Sequence, residues 1–299
     1  MATLREIRGR ISGVKNIAKI TSAMKMVAAA KMRKAQEAIT SARPYAQKLS
    51  DILSLLAANL EESIDPLLQR REEVNNIALI VISADRGLCG SFNSNILRGT
   101  GYHLKRLKQD YPRAAVHMIT VGKRACDFFG RRSTPLVERF PGIFTKLDYI
   151  YAQDIAKIAI EGFLSGKFDR VEIIYNEFKS VVKQETVIRQ FLPIEPAQQP
   201  VEKEKTKSRQ ATIDYIFEPS RERVLSALLP KHLNMQVWRA LLESNASEHA
   251  ARMVAMDNAT TNAKDLLRTL QLNYNKARQA AITKELLEIV GGAEALKNG

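Results

Sequence analysis

The 299-residue sequence has little cysteine, few aromatic residues and no long apolar run. Its two cysteines, Cys89 and Cys126, are too few for a disulfide scaffold or a four-ligand zinc site, and they fit a reducing compartment. The longest apolar run ends at Ser83 after Ile77–Ile82, far short of the ~20 residues of a membrane-crossing helix. No secretory leader is expected either, because the small apolar stretch Met26–Ala30 is closed by Lys31. Residues 1–48 are poor in acids, which suits a transit peptide, but they read better as a mature helix. They hold eleven Lys and Arg against Glu6 and Glu37, a net charge of +9 within the chain's +14. No aromatic precedes Tyr45, which speaks against stacking on single-stranded nucleic acid. A solvated basic face, duplex backbone contacts and an acidic protein partner all remain open.

What is present is periodicity. Leu4, Ile7, Ile11, Val14, Ile17, Ile20, Met24 and Val27 recur every three or four residues, as one helix face requires. Gly9 and Gly13 weaken a helix by ~1 kcal/mol each relative to alanine, so close packing against another element is expected there. Pro44 either kinks this helix or begins another, and Asp65-Pro66 ends it. At the other end, Pro230 and Gly291 enclose sixty residues without Gly or Pro. A stripe of Met256, Ala259, Ala263, Leu266, Leu270, Tyr274, Ala277 and Ala281 follows the helical period, with alanines that allow close axial approach. A helix this long needs a second long helix beside it, and the first 66 residues provide one.

The middle alternates between strand and helix. Strands are expected at 77–82, 114–121, 171–175 and 181–192, with helices at 95–109 and 148–164 and a further helix around Cys126. This βαβ rhythm predicts a small open sheet with helices on its faces. A polar loop is expected from Pro193 to Gln210. The fold class is therefore α/β: a long antiparallel coiled coil of the terminal helices plus a small Rossmann-like open-sheet domain. Its expected divisions are residues 1–66, 67–212 and 213–299.

Catalytic motifs are missing. Gly162-Phe-Leu-Ser-Gly166-Lys167-Phe168 imitates a phosphate-binding loop, but it lacks one spacer residue and the hydroxyl that would reach Mg²⁺. Gly99-Thr-Gly101 has Leu104 where a dinucleotide fingerprint needs its third glycine. Asp85-Arg86-Gly87-Leu88-Cys89-Gly90 follows a strand and reads as a tight structural turn. His103, His117, His232 and His249 have no metal-ligand spacing. No catalytic residue, cofactor site or metal site is expected.

Several stretches resemble the gamma subunit of F-type ATP synthases. They are Thr21-Ser-Ala-Met24-Lys25-Met26 through Gln36, Asp85–Gly90, Ala250–Thr260, Tyr274–Thr283 and Glu288–Ala293. The resemblance implies a rotor shaft inside a ring of alternating alpha and beta subunits. It implies a globular part resting on a membrane ring of proton-carrying subunits, beside a small epsilon subunit. Rotation would then couple proton flow to ATP turnover on the beta subunits, without catalysis by this chain. The implied contacts are Arg278, Gln279, Thr283 and Glu285 with beta-subunit loops, and Met24 and Lys25 with an acidic lever of the beta subunit. Tyr215 and Glu218 would face the membrane ring. The implied setting is peripheral, on the cytoplasmic face of a bacterial inner membrane. Relatives from photosynthetic organelles carry a redox cysteine pair in an insertion, but residues 193–230 contain no cysteine, so no thiol switch is expected. The competing reading is a basic coiled-coil protein that binds nucleic acid.

Overall fold

A computed structural model describes residues 3–57, 65–132, 134–194 and 218–297. Eleven elements follow in order: α1 (Leu4–Ala57), β1 (Asn76–Ile82), α2 (Phe92–Asp110), β2 (Ala115–Val121), α3 (Lys123–Phe129), β3 (Leu136–Phe140), a 3₁₀ turn (Ile143–Thr145), α4 (Tyr149–Leu164), β4 (Arg170–Phe178), β5 (Gln184–Leu192) and α5 (Arg221–Lys297). Compactness groups them into two units, one of residues 1–30 with 252–299, the other of residues 31–251.

The larger unit is built on a five-stranded sheet of order β3-β2-β1-β4-β5. The first four strands are mutually parallel, and β5 runs antiparallel to β4. From Ile77 onward β1 is fully buried, as a central parallel strand covered on both faces should be. One face of the sheet packs on Ile155, Ala156 and Phe163 of α4, together with Leu49 and Leu53 of α1 and Leu229, Leu233 and Val237 of α5. The other face packs on Ile96 and Leu107 of α2 and Phe129 of α3. Local polar bonds fix the element ends. Asp148 caps α4 by accepting from the Ile150 N–H. Asp169 accepts from the Asn75 and Asn76 N–H groups and from Arg71, joining the starts of β1 and β4.

Two elements depart from the sequence expectation. Strand β3 was not anticipated, because five residues between Pro135 and Pro141 at a sheet edge carry no buried run. The terminal helix also outruns its expected limits. It begins at Arg221 and continues through Pro230 and the Gly291-Gly292 pair. Leu225, Leu229 and Leu233 are buried on both sides of Pro230, and this packing holds the turn that proline weakens. Likewise α1 passes unbroken through Pro44.

In the smaller unit, the first part of α1 runs antiparallel to the last part of α5. Three bonds fix the register: Arg8 with Tyr274, Thr21 with Thr260, and Lys25 with Asp257. On α1 one series of buried and half-buried positions runs Leu4, Ile7, Ile11, Val14, Ala18, Thr21, Lys25 and Ala28, with Ser22, Met24 and Ala29 half-buried beside it. On α5 the matching series runs Met256, Thr260, Ala263, Leu267, Leu270, Tyr274, Ala277 and Ala281, with residues 252–255 and Ala259 half-buried beside it. Both series step by alternating threes and fours, the 3.5-residue repeat of a supercoiled pair.

This register corrects the expected stripe. Ile17 is 53% exposed, Ile20 59% and Val27 57%, while Ala18, Thr21 and Ala28 take the seam. On α5, Leu266 is 49% exposed and Leu267 replaces it. Small seam residues let the axes approach, and the bulkier neighbours are turned outward. The expected packing at Gly9 and Gly13 is also absent, since a Cβ at either would meet no atom within 4 Å.

Candidate partner surfaces on the paired helices

The seam of the smaller unit is unusually polar at its centre. Thr21 and Thr260 share a hydrogen bond of 2.7 Å between their hydroxyls. One hydroxyl donates to the other, and the other keeps its own proton for a helix carbonyl, that of Ile17 for Thr21 or of Met256 for Thr260. A few residues away, Lys25 donates to Asp257 at 2.7 Å, with side chains 42% and 53% exposed. Arg8 donates to the Tyr274 hydroxyl at 2.7 Å and lies over its ring. These three cross-helix pairs set the register more narrowly than methyl groups can, because only one alignment satisfies all of them.

The outward stripe of Ile17, Ile20, Met24 and Val27 therefore stands beside the seam rather than in it. An apolar row of this kind on a helix already paired along its other face marks a surface for a partner. Of the sequence-predicted contact residues, Met24 is half-buried at the border of this row, and Lys25 holds Asp257. Arg278, Gln279, Thr283 and Glu285 all lie exposed on α5. Thr283 bonds its hydroxyl to the Gln279 carbonyl, and Arg278 and Glu285 are two turns apart on one side of the helix. By the observed register Leu4, the first residue of α1, falls opposite about Arg278, so α5 runs on past the start of α1. There Ile282, Leu286, Leu287, Ile289 and Val290 are all exposed. Glu218 is exposed in the larger unit, and Tyr215 lies outside the described residues. Asp257 and Thr260 were missed as cross-helix partners in the sequence, and Tyr274 was expected on the seam but without its bond to Arg8. The available signal was the polar Thr21 and Lys25 at positions that a 3.5-residue repeat assigns to the seam.

The turn after β1 is a structural hub. Asp85 accepts from the Lys123 and Gly142 N–H groups through Oδ1 and from the Phe144 N–H through Oδ2. Its carboxylate thus ties together the loops that follow β1, β2 and β3. Asn93 accepts from the Ala84 N–H and donates to the Arg86 carbonyl, closing the turn from the other side. Gly122 has φ +86°, and a Cβ there would stand 2.2 Å from the Ser83 carbonyl oxygen. Gly162 likewise makes room for the Phe168 ring, which a Cβ would meet at 2.2 Å. Of the imitation phosphate loop's glycines, Gly162 therefore serves packing at the end of α4, and Gly166 takes a φ of +78° in the turn that follows.

Buried polar groups elsewhere in the sheet are paired. Glu172 bonds His103 and Arg170, and its pKa is lowered: burial opposes ionisation, but the two hydrogen bonds outweigh it. Cys89 and Cys126 are both buried thiols, and burial raises the Cys126 pKa. Among the described residues no cluster of His, Cys, Asp and Glu could hold a metal ion. No described helix is long and apolar enough to cross a membrane.

Comparison with known proteins agrees across the whole chain. A family model described as ATP synthase matches residues 3–296. The ATP synthase gamma chain of Chlorobium phaeobacteroides (strain DSM 266) is 50% identical over 301 residues, covering 99% of this chain and 100% of that relative. The ATP synthase gamma chain of Chloroherpeton thalassium is 50% identical over 305 residues, with 99% of each covered. Among solved structures, a chain of the Tetrahymena thermophila mitochondrial ATP synthase central stalk and c-ring is 26% identical with a TM-score of 0.56. That match covers 80% of this chain and 99% of the other. A chain of the Euglena gracilis mitochondrial ATP synthase rotor, 23% identical with a TM-score of 0.61, has the same fold over 93% of this chain.

Proposed function

This chain belongs to the ATP synthase gamma-chain family, and from that membership we propose how its surfaces act. The chain is the non-catalytic central rotor subunit, coupling proton flow through a membrane ring to ATP turnover on beta subunits. The full-length identity to gamma chains carries this reading, and it displaces the nucleic-acid alternative. The antiparallel helix pair supplies what a shaft needs, two helices locked in one register by cross-helix bonds.

The outward row of Ile17, Ile20 and Val27 and the exposed end of α5 meet the ring of alpha and beta subunits. Arg278 and Gln279 donate hydrogen bonds to beta-subunit loops, and Thr283 and Glu285 extend that contact. Lys25 together with Met24 faces an acidic segment of the beta subunit. Its pair with Asp257 is half-exposed, and an ion pair of that kind contributes only ~0–1 kcal/mol, so a stronger carboxylate partner can take it over. Glu218, with Tyr215, stands at the junction with the membrane ring, and an epsilon subunit lies beside the sheet domain. The chain itself is peripheral to the membrane, on the cytoplasmic face of a bacterial inner membrane.

The test is the assembled enzyme. Arg278→Ala with Gln279→Ala is expected to lower ATP-driven proton pumping while the complex still assembles, because a hydrogen bond to a charged group is worth ~1.5–3 kcal/mol. Unchanged hydrolysis and pumping would remove these two residues from the contact. Native mass measurement gives the broader check, since the chain should travel with alpha and beta subunits and without nucleic acid.

A further inference from the structure

The larger unit contains a cavity of about 580 Å³ between α1, α5 and strands β4 and β5. Its cause is visible in α1. Leu49, Leu53 and Leu56 fill the core further along the helix, but Ala42 and Ala46 present only methyl groups here, and space is left over. A cavity in the range of ~300–1,000 Å³ is the size that accommodates small organic molecules.

Its lining is charged. Arg43, Arg189 and Arg239 bring three guanidinium groups against one carboxylate, Glu243. Arg239 donates its Nε to Glu243 Oε1 at 2.6 Å, and Arg189 donates to Glu177 at 3.1 Å. Arg43 makes no ion pair among the described residues. Among the described residues, the second carboxylate oxygen, Glu243 Oε2, is buried without a hydrogen-bond partner in a side chain only 7% exposed. A buried acceptor left without a donor is costly, and a native protein normally satisfies it. His232 adds no positive charge at neutral pH, because burial lowers its pKa and its Nε2 accepts from Gln236.

We propose that this cavity binds a small organic anion that also carries a hydroxyl group. The anionic group lies against Arg43 and Arg189, and the hydroxyl donates to Glu243 Oε2. The net positive lining selects the anion, and the orphaned oxygen selects the donor. None of the residues assigned above to ring or membrane-ring contacts lines the cavity, so the site is independent of those assignments.

The experiment is calorimetric titration of the full chain with malate and with succinate, the same dicarboxylate without the hydroxyl, at matched ionic strength. Saturable one-to-one binding of malate is expected with a Kd at or below roughly 1 mM, and succinate is expected to bind about tenfold more weakly. Arg43→Ala, at an exposed position without an ion pair, should weaken both ligands by about tenfold or more. Glu243→Gln should narrow the difference between them. Absence of saturable heat with malate, as a cavity filled by water alone would give, overturns the proposal. Equal binding of the two acids, or malate binding that Arg43→Ala leaves unchanged, overturns it as well.

Discussion

Asp85 shows how much one carboxylate can hold. It accepts three main-chain N–H groups from loops 38 to 59 residues away. Asp85→Ala leaves those donors without their acceptor, and we expect a loss of ~2–4 kcal/mol in urea unfolding, with Asp85→Asn costing less. Glu172 gives a pH-dependent counterpart. Its folded pKa lies below the ordinary 4.5, so its contribution is present above that value and is lost as pH falls through the folded pKa. The unfolding midpoint should therefore drop as pH is lowered from about 5, and Glu172→Gln should flatten that dependence while destabilising the protein at pH 7. A profile that Glu172→Gln leaves unaltered would assign the acid sensitivity to other carboxylates, of which Asp169 is the nearest in kind, with its pKa lowered by Arg71 and two N–H bonds against the opposing effect of burial. The thiols behave differently. Both are buried and 37 residues apart in sequence, so an ATPase rate that changes with reductant should not map to Cys89 or Cys126.

At the scale of elements, the seam register makes a prediction that separates it from the stripe expected by bulk. Ile17→Ser with Ile20→Ser should change the stability of the isolated chain by no more than ~0.5 kcal/mol, as exposed positions do, yet weaken assembly with ring subunits. Ala18→Leu or Ala263→Leu should instead cost ~1–3 kcal/mol by forcing the axes apart. If the isoleucine changes destabilise more than the alanine changes, the register is wrong. Strands β1, β2 and β4 were legible because each contains a buried apolar run, and α4 because Asp148 marks its start. Strand β3 was not, since Glu138 and Arg139 at a sheet edge look like loop. The seam was misassigned for a related reason: hydrophobic bulk at 17, 20 and 27 signals a buried face only when the helix works alone. Here the outward row is exposed, and the seam is chosen by small residues and matched hydroxyls. Lys25 and Arg278 were singled out only through the family resemblance, and the pairing of Lys25 with Asp257 depends on a register spanning 232 residues, which no local pattern reveals.

At the scale of the whole molecule, a shaft is useful only if its two helices turn as one body. The Thr21–Thr260 hydroxyl bond of 2.7 Å offers a direct test, because cysteines at both positions would bring their sulfur atoms within bonding reach. A disulfide there fixes the register covalently without adding bulk to the outward row. If torque passes through a pair that never slides, oxidised Thr21→Cys/Thr260→Cys enzyme should retain ATP hydrolysis and proton pumping at rates close to those of its reduced form. If the two helices must shift along each other during a turn, oxidation should stop pumping and reduction should restore it. Alkylation of the reduced pair supplies the control, since it removes the hydroxyl bond without joining the helices. The polar seam argues for the first outcome. Sliding by one helical turn, ~5.4 Å, would break the threonine bond, the Lys25–Asp257 pair and the Arg8–Tyr274 contact together.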